Sequence, residues 1–311
     1  MKTAIIDLGT NTFQLLIIEK MPLGEVRNIL KKSIPSKIGK GGINQNIITD
    51  EALDRALNVL KEFKKEIDNQ GVSIDRVFAI GTSAVRNAAN KKQFCERVLD
   101  ETGINVTVIE GEEEAELIYL GVKQAVEISS EPSMIIDIGG GSVEFIICNA
   151  EKVLWKQSFE IGGQRLMEKF MKTDPISMRA IQQLDDYFRE QLLPLANACH
   201  QYSPQIMVGS SGSFDTLVDM YFMKKYNHLP EASQTEFDLP LAEFYHSYEE
   251  LITRNREERM ELKGMIELRV EMIVVAVCLI RYLIQTFDIQ QITVSRYSLK
   301  EGVMNKIMVN G

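Results

Sequence analysis

Two short stretches of this 311-residue chain carry residue types suited to phosphate. Asp7-Leu8-Gly9-Thr10-Asn11-Thr12 and Asp137-Ile138-Gly139-Gly140-Gly141-Ser142 each put an aspartate two residues before a glycine, at the end of an apolar run. Glycine adds no Cβ and tolerates positive φ, so backbone N–H groups at Gly9, Gly139, Gly140 and Gly141 can come close to an anion. Thr10, Asn11, Thr12 and Ser142 add short-armed donors. Asp7 and Asp137 would hold carboxylates beside the phosphates, where a hard cation such as Mg²⁺ can bridge them. One such turn is an ordinary glycine-rich hairpin; two at matching positions point to chemistry.

Three further groups could act on a phosphate so held. The run Glu110 to Glu116 opens a helix, where acidic residues complement the dipole and face solvent. Ala115, Ile118, Val122 and Ala125 mark its buried face, and Glu114 lies one turn before Ile118 on that side. Desolvated there, it could serve as a general base. Glu144 shares a strand face with Ser142 and is either a metal or water ligand or an exposed strand residue. Arg86, after Gly81-Thr82-Ser83, either clamps phosphate with its guanidinium fork or makes a surface ion pair. Ser211, Gly212 and Ser213, following a strand, form a third candidate phosphate loop.

Other mechanisms lack their residues. There is no Cys-x₅-Arg loop, no Gly-x₄-Gly-Lys-Ser/Thr loop and no Gly-x-Ser-x-Gly elbow. Four scattered cysteines and three histidines make no metal-ligand spacing. What survives is metal-assisted attack by water that a carboxylate activates. A net charge of −9 gives no basic face for nucleic acid, so no such partner is expected. A small polyanion can still be held by a local basic patch.

These residues need elements to hold them. Residues 3–19 read as two strands around the first turn. Thr49 caps a helix with Leu53, Ala56, Leu57, Leu60, Phe63 and Ile67 at helical spacing, ended by Gly71. A strand at 76–80, a helix at 84–99, a strand at 105–109 and a helix from Gly111 to about Ile128 continue an α/β alternation. At Ser133 the pattern restarts. Residues 3–18 laid over 133–148 align without a gap, with Asp7 on Asp137 and Gln14 on Glu144. An internal repeat of this length implies two similar α/β domains facing each other. The second continues with helices near 177–198 and 261–286, strands at 206–208 and 291–295, and a terminal helix from Leu299. The longest apolar run, Met272 to Ile280, is far short of the roughly 20 residues a bilayer demands, so a buried core helix and no membrane partner are expected. Asp7 comes too early for a signal peptide, and unpaired cysteines suit a cytoplasmic location.

Taken together, residues 7–13, 81–90, 109–118 and 136–144 resemble the successive motifs of the Ppx/GppA exopolyphosphatase and guanosine pentaphosphate phosphohydrolase family. Residues 209–213, 269–273 and 295–302 resemble its later ones, in order, over essentially the whole chain. The resemblance implies an α/β, duplicated actin-like (ribonuclease H-like) fold with the active site in the interdomain cleft. Domain I would span 1–124, with a helix at 298–311 packing back on it, and domain II 125–297. It implies Mg²⁺, with Mn²⁺ as the alternative, and hydrolysis of the terminal phosphoanhydride of polyphosphate or of guanosine pentaphosphate. The family's catalytic glutamate falls on Glu114, its second glutamate on Glu144, its metal-site aspartate on Asp137 and its motif arginine on Arg86. Asp7 and Glu144 join Asp137 as metal candidates. A homodimer is carried as an expectation with no residue pattern behind it. A weakly catalytic nucleotide sensor of the same fold is the further reading; a sugar kinase lacks an acceptor-site pattern.

Some positions depart from the family's pattern. Lys300 stands where arginine is usual, Arg296 and Tyr297 where small or acidic residues are, Val143 for threonine and Ser213 for threonine. The C-terminal helical extension of longer members does not follow the matched region, so short polyphosphate chains are the expected preference. The basic positions available to a polyanion are Lys31, Lys32, Lys37, Lys40, Lys224 and Lys225, of which Lys37 and Lys40, among the glycines at 39–42, are best placed.

Overall fold

Buried strands followed by helices give, in a computed structural model that describes residues 1–22 and 25–310, two mixed sheets covered by helices. The first sheet is built from β1 (Lys2–Leu8), β2 (Thr12–Lys20), β3 (Val26–Pro35), β4 (Val77–Gly81) and β5 (Val106–Val108), in the order β3-β2-β1-β4-β5. Its helices are α1 (Asp50–Asn69), α2 (Ser83–Arg86) and α3 (Lys91–Thr102), and α4 (Gly111–Val122) follows β5. The second sheet contains β6 (Ser133–Ile138), β7 (Val143–Cys148), β8 (Val153–Phe159), β9 (Ile206–Ser210), β10 (Glu236–Leu239) and β11 (Gln291–Ser295), in the order β10-β11-β9-β6-β7-β8. Its helices are α5 (Gly163–Phe170), α6 (Met178–Gln191), α7 (Leu193–Tyr202), α8 (Gly212–Tyr226), α9 (Leu241–Thr253), α10 (Arg256–Met260), α11 (Ile273–Phe287) and α12 (Leu299–Asn310).

The repeat seen in the sequence is a repeat of register. β1 and β2 pair antiparallel with Asp7 opposite Gln14, and β6 and β7 pair antiparallel with Asp137 opposite Glu144. Each central strand then pairs in parallel with the next one, β1 with β4 and β6 with β9. Every residue of β6 and β7 is buried, as a sheet covered on both faces requires. The apolar run at Met272 becomes α11, buried nearly all round.

The chain divides into two compact units, Met1–Glu114 with Ile307–Gly311, and Ala115–Lys306. The division falls inside α4, directly after Glu114, rather than at residue 124, and most of α12 belongs to the second unit. Gly311, the end of the expected terminal helix, lies outside the described residues. Four helices are shorter than their periodicity suggests, and one of them, α4, ends at Val122 rather than near Ile128, in a turn where the Gln124 N–H donates to Gly121 O. The one at 84–99 breaks after Arg86, where the Ala89 N–H turns to Asn46 O and the Asn90 amide to Ile48 O. The one at 177–198 breaks at Leu192, ahead of Pro194, which has no N–H to donate. Residues 261–272 are turns, with Gly264 at φ +90. β3 has no apolar pattern to announce it because it is largely exposed and polar.

One contact inside the second unit is unusually close. A Cβ built on Gly302 of α12 would overlap the Leu117 carbonyl of α4, and one built on Gly121 would overlap the Ser298 carbonyl. Gln124 Nε2 also donates to Glu301 O at 3.1 Å. The obstructing atoms are backbone, so a methyl group can be admitted only by moving a helix. Gly302→Ala should therefore destabilise the protein by about 2–4 kcal/mol, near the upper end for overpacking. Gly103→Ala, whose φ of 71 is strained but whose Cβ would meet open space, should lose only about 1–2 kcal/mol. Chemical denaturation of the two variants checks the order.

Candidate active site

In the first unit the turn after β1 is held by the segment that follows β3. Ser36 and Lys37 N–H both donate to Asn11 O at 2.9 Å, and Gly39 N–H donates to Thr10 O at 3.0 Å. A Cβ on Gly9 would stand 2.8 Å from Thr12 O, so the turn is closed enough to need glycine there. Arg55 fastens the same segment through Ser36 O and Lys37 O. Lys37 is left-handed at φ 48, and its side chain and that of Lys40 are exposed.

Glu114 stands at the head of α4 with 7% exposure, so the solvent-facing reading of its run fails for this residue. Arg86 Nη1 donates to Glu114 Oε2 at 2.6 Å and to Ile109 O at 3.3 Å. The arginine is as buried as its partner, which makes this an interior pair rather than a surface one. For a carboxylate in that position the guanidinium offsets the loss of water and fixes one oxygen. The exposed alternatives for Arg86 and Glu144 are both excluded by burial, at 8% and 1% exposure.

The second turn repeats the construction of the first. Gly163, Gln164 and Gly162 N–H donate to the carbonyls of Gly139, Gly140 and Gly141, and Arg165 Nε donates to Gly141 O at 2.8 Å. The Gly139 N–H itself donates to Ser142 O at 3.1 Å, so the amides this turn can offer an anion are those after Gly139. Asp137 is buried, and Oδ2 accepts from Ser210 Oγ at 2.7 Å and from Ser298 Oγ. Glu144 accepts from Ser158 Oγ at 2.6 Å. As register partners, Asp137 and Glu144 are cross-strand neighbours on one face, with Cβ atoms on the order of 5 Å apart.

The third loop opens α8. Ser211 has φ 75 and ψ 170, a region that non-glycine residues adopt only where the surroundings impose it. The guanidinium of Arg269 lies so close to Gly212 that a Cβ there would overlap it. Burial pushes the Arg269 pKa below its ordinary value, against the opposing fields of Asp215 and Asp137. Arg259, fully buried, sets the backbone beside Arg269. Its Nε donates to Val270 O at 2.9 Å, and its Nη1 donates to Asp174 Oδ1 at 2.7 Å and to Arg254 O. Of the residues that depart from the family's pattern, Arg296 bonds Asp219 at 2.9 Å and lies over the Phe237 ring, and Lys300 is 3.7 Å from Glu301. Lys32 is engaged by Glu62 and Glu66, Lys224 by Glu243 and Lys225 by the Tyr221 hydroxyl, whereas Lys37 and Lys40 lie on the segment that braces the first candidate turn.

Sequence reasoning missed Ser158, Arg165 and Asp215, and it did not foresee that Ser210 and Ser298, inside the motifs at 209–213 and 295–302, bond Asp137. The hydroxyls are single serines at strand or helix ends, and only the position of Ser210 at the end of a parallel strand hints at a role. Three cysteine thiols are pushed up to about 12 by burial, so they supply no nucleophile. Among the described residues no cluster of three or more His, Cys, Asp or Glu could cage a metal, and no helix is long and apolar enough to cross a membrane.

Matching sheets that each carry an Asp-apolar-Gly turn define the class, a duplicated actin-like α/β protein. The chain belongs to the Ppx/GppA phosphatase family, whose model matches residues 17–310. It is 43% identical to a solved exopolyphosphatase from Cytophaga hutchinsonii, with a TM-score of 0.95 and coverage of 100% of this chain and 98% of that one. The Aquifex aeolicus family member is similar at 26% identity and a TM-score of 0.80, again over 100% and 98% of the two chains. A guanosine-5'-triphosphate,3'-diphosphate pyrophosphatase of Photobacterium profundum is 25% identical over 98% of this chain. A bifunctional 3-dehydroquinate synthase/phosphatase of Fusobacterium nucleatum is 27% identical over 97% of this chain. The chain spans 59% and 47% of the lengths of these two curated relatives.

Asp215 offers a test of the charge arrangement at the third loop. Desolvation pushes its carboxyl from 3.8 to about 6, against the pull of Arg296 and Lys300. The folded state thus holds this proton more tightly than the unfolded chain. Its contribution to stability is full below about pH 4 and is lost as pH rises through about 6. Asp215→Asn should remove that slope, gaining on the wild type between those values and holding a constant difference above them. Thermal midpoints of the two proteins across pH check it.

Proposed function

We propose that this chain is a phosphoanhydride hydrolase that releases the terminal phosphate of inorganic polyphosphate, with short chains favoured. The observation that carries the reading is the buried Glu114 carboxylate, one oxygen of which is held by Arg86. In the reaction, Glu114 takes a proton from water as the water oxygen bonds to the terminal phosphorus. The bridging P–O bond then breaks, and the shortened chain leaves with the electron pair. The turns after Asp7 and Asp137 orient phosphate oxygens through backbone amides, with Thr10, Thr12 and Ser142 as side-chain donors. The third loop, Ser211 to Ser213, is assigned to the same phosphates.

Carboxylate oxygens at the ends of β1 and β6 are hard donors that suit Mg²⁺, which takes one or two carboxylates and keeps water and substrate phosphate in its shell. Asp137, Asp7 and Glu144 are the residues that would hold it, or Mn²⁺ in its place. When bound, the ion would neutralise charge on the phosphates.

Lys37 and Lys40 supply a short basic track, which supports short chains as substrate and makes affinity fall with salt. The likeness to the Photobacterium profundum enzyme supports a second reading, release of the terminal 5′ phosphate of guanosine pentaphosphate. A cytoplasmic location and a homodimer belong to the same proposal.

Glu114→Gln should lower kcat by roughly a hundredfold or more with KM little changed. A variant within threefold of wild type, or one that loses only affinity, overturns the assignment of the base. Phosphate release from short polyphosphate, long polyphosphate, guanosine pentaphosphate and ATP, at equal chain-end concentration, should be fastest on short polyphosphate. It should stop with excess chelator and return with Mg²⁺ or Mn²⁺. Faster turnover of guanosine pentaphosphate would favour the second reading, and processive digestion of long chains would reject the short track.

A further inference from the structure

Ser298 occupies the N-cap position of α12, immediately before Leu299. The usual task of a serine there is to accept a hydrogen bond from the first-turn backbone, while a glutamate three residues on reaches back to the cap N–H. Only the second half of that exchange is present. Glu301, three residues on and 2% exposed, accepts from the Ser298 N–H through Oε2 at 3.1 Å. The Ser298 hydroxyl instead donates to Asp137 Oδ2.

That oxygen also accepts from Ser210 Oγ at 2.7 Å. Both donors therefore converge on one carboxylate oxygen, and Asp137 Oδ1 accepts no hydrogen bond among the described residues. A carboxylate with one hydroxyl donor can still rotate about its terminal torsion, which is broad and nearly two-fold. Two donors from different elements, the end of β9 and the start of α12, stop that rotation. The position of Ser298 is in turn rigid, because its own carbonyl rests against Gly121 where α4 and α12 cross.

We propose that Ser298 is a positioning residue for the reaction. Its hydroxyl is withdrawn from capping α12 in order to lock the Asp137 carboxylate with Oδ2 inward and Oδ1 presented to the reacting groups, and Glu301 takes over the end of the helix. The proposal rests on the reading that Asp137 serves phosphate release.

The test measures kcat, KM and thermal midpoint for phosphate release from short polyphosphate by Ser298→Ala, Ser298→Thr, Asp137→Asn and the Ser298→Ala/Asp137→Asn double variant. A hydrogen bond to a charged acceptor is worth about a factor of ten or more. Ser298→Ala should therefore lower kcat by about tenfold with KM within about twofold. Its thermal midpoint should stay near that of the wild type, because the hydroxyl does not cap the helix. Ser298→Thr, which keeps the hydroxyl, should recover most of the rate. In the Asp137→Asn background the alanine substitution should cost little more, since the two residues act as one unit. Wild-type kcat in Ser298→Ala while Asp137→Asn is inactive overturns the proposal alone. So does a loss that threonine leaves uncorrected, or one that adds fully to that of Asp137→Asn. An active Asp137→Asn overturns the reading on which it rests.

Discussion

The contact that sets the start of α12 is one between two peptide backbones, where α4 and α12 cross at Gly121 and Gly302. Side chains at a helix crossing usually keep the axes about 8–10 Å apart and can adjust by changing rotamer. Carbonyl oxygens lying where a Cβ would stand cannot adjust in this way. The crossing fixes the start of α12, and through it the Ser298 hydroxyl and the buried Glu301. Because α4 is a single helix with Glu114 in its first turn, the same element carries a candidate base at one end and this fixed crossing near the other.

Repetition of a fold does not repeat its chemistry. The two sheets share strand order and register around their central aspartates, and each turn is braced by amides from a segment further along the chain. Opposite the aspartate, however, one sheet has Gln14 and the other Glu144. A neutral amide can donate and accept, whereas a carboxylate beside another carboxylate must be balanced by donors or cations. Ser158, Ser210 and Ser298 meet part of that need in the second sheet. In the first unit the corresponding charge is placed away from the sheet, as the pair between Arg86 and Glu114.

Much of this was legible in the sequence because it depended on local pattern. The gapless match of 3–18 with 133–148 foretold the shared register, and Asp7 and Asp137 stand at the ends of strands as their apolar flanks require. The burial of Glu114 was readable from its place one turn before Ile118. Its partner was not, since Arg86 lies 28 residues away and only tertiary folding sets them together. The serine tethers of Asp137 were illegible for the same reason, being 73 and 161 residues distant. Helix ends were lost where competing hydrogen bonds, such as those of Ala89 and Asn90, outweigh periodicity. Arg296 was visible only as a departure from the family's pattern, and its engagement with Asp219 and Phe237 depends on tertiary folding.

The fully buried guanidinium of Arg259 has a consequence for cooperativity. It gathers Asp174, the Arg254 carbonyl and the Val270 carbonyl around a single charge, and so closes a stretch that holds little regular helix between α10 and α11. A stretch closed by apolar contacts can loosen by degrees, each step exposing a little more surface. Closure around a charge has no comparable half-open form. Partial opening would strip donors of partners before water could replace them, at a cost of several kcal/mol. Opening by parts is therefore disfavoured for the segment carrying Arg269, and the loop over Gly212 shares in that cooperativity.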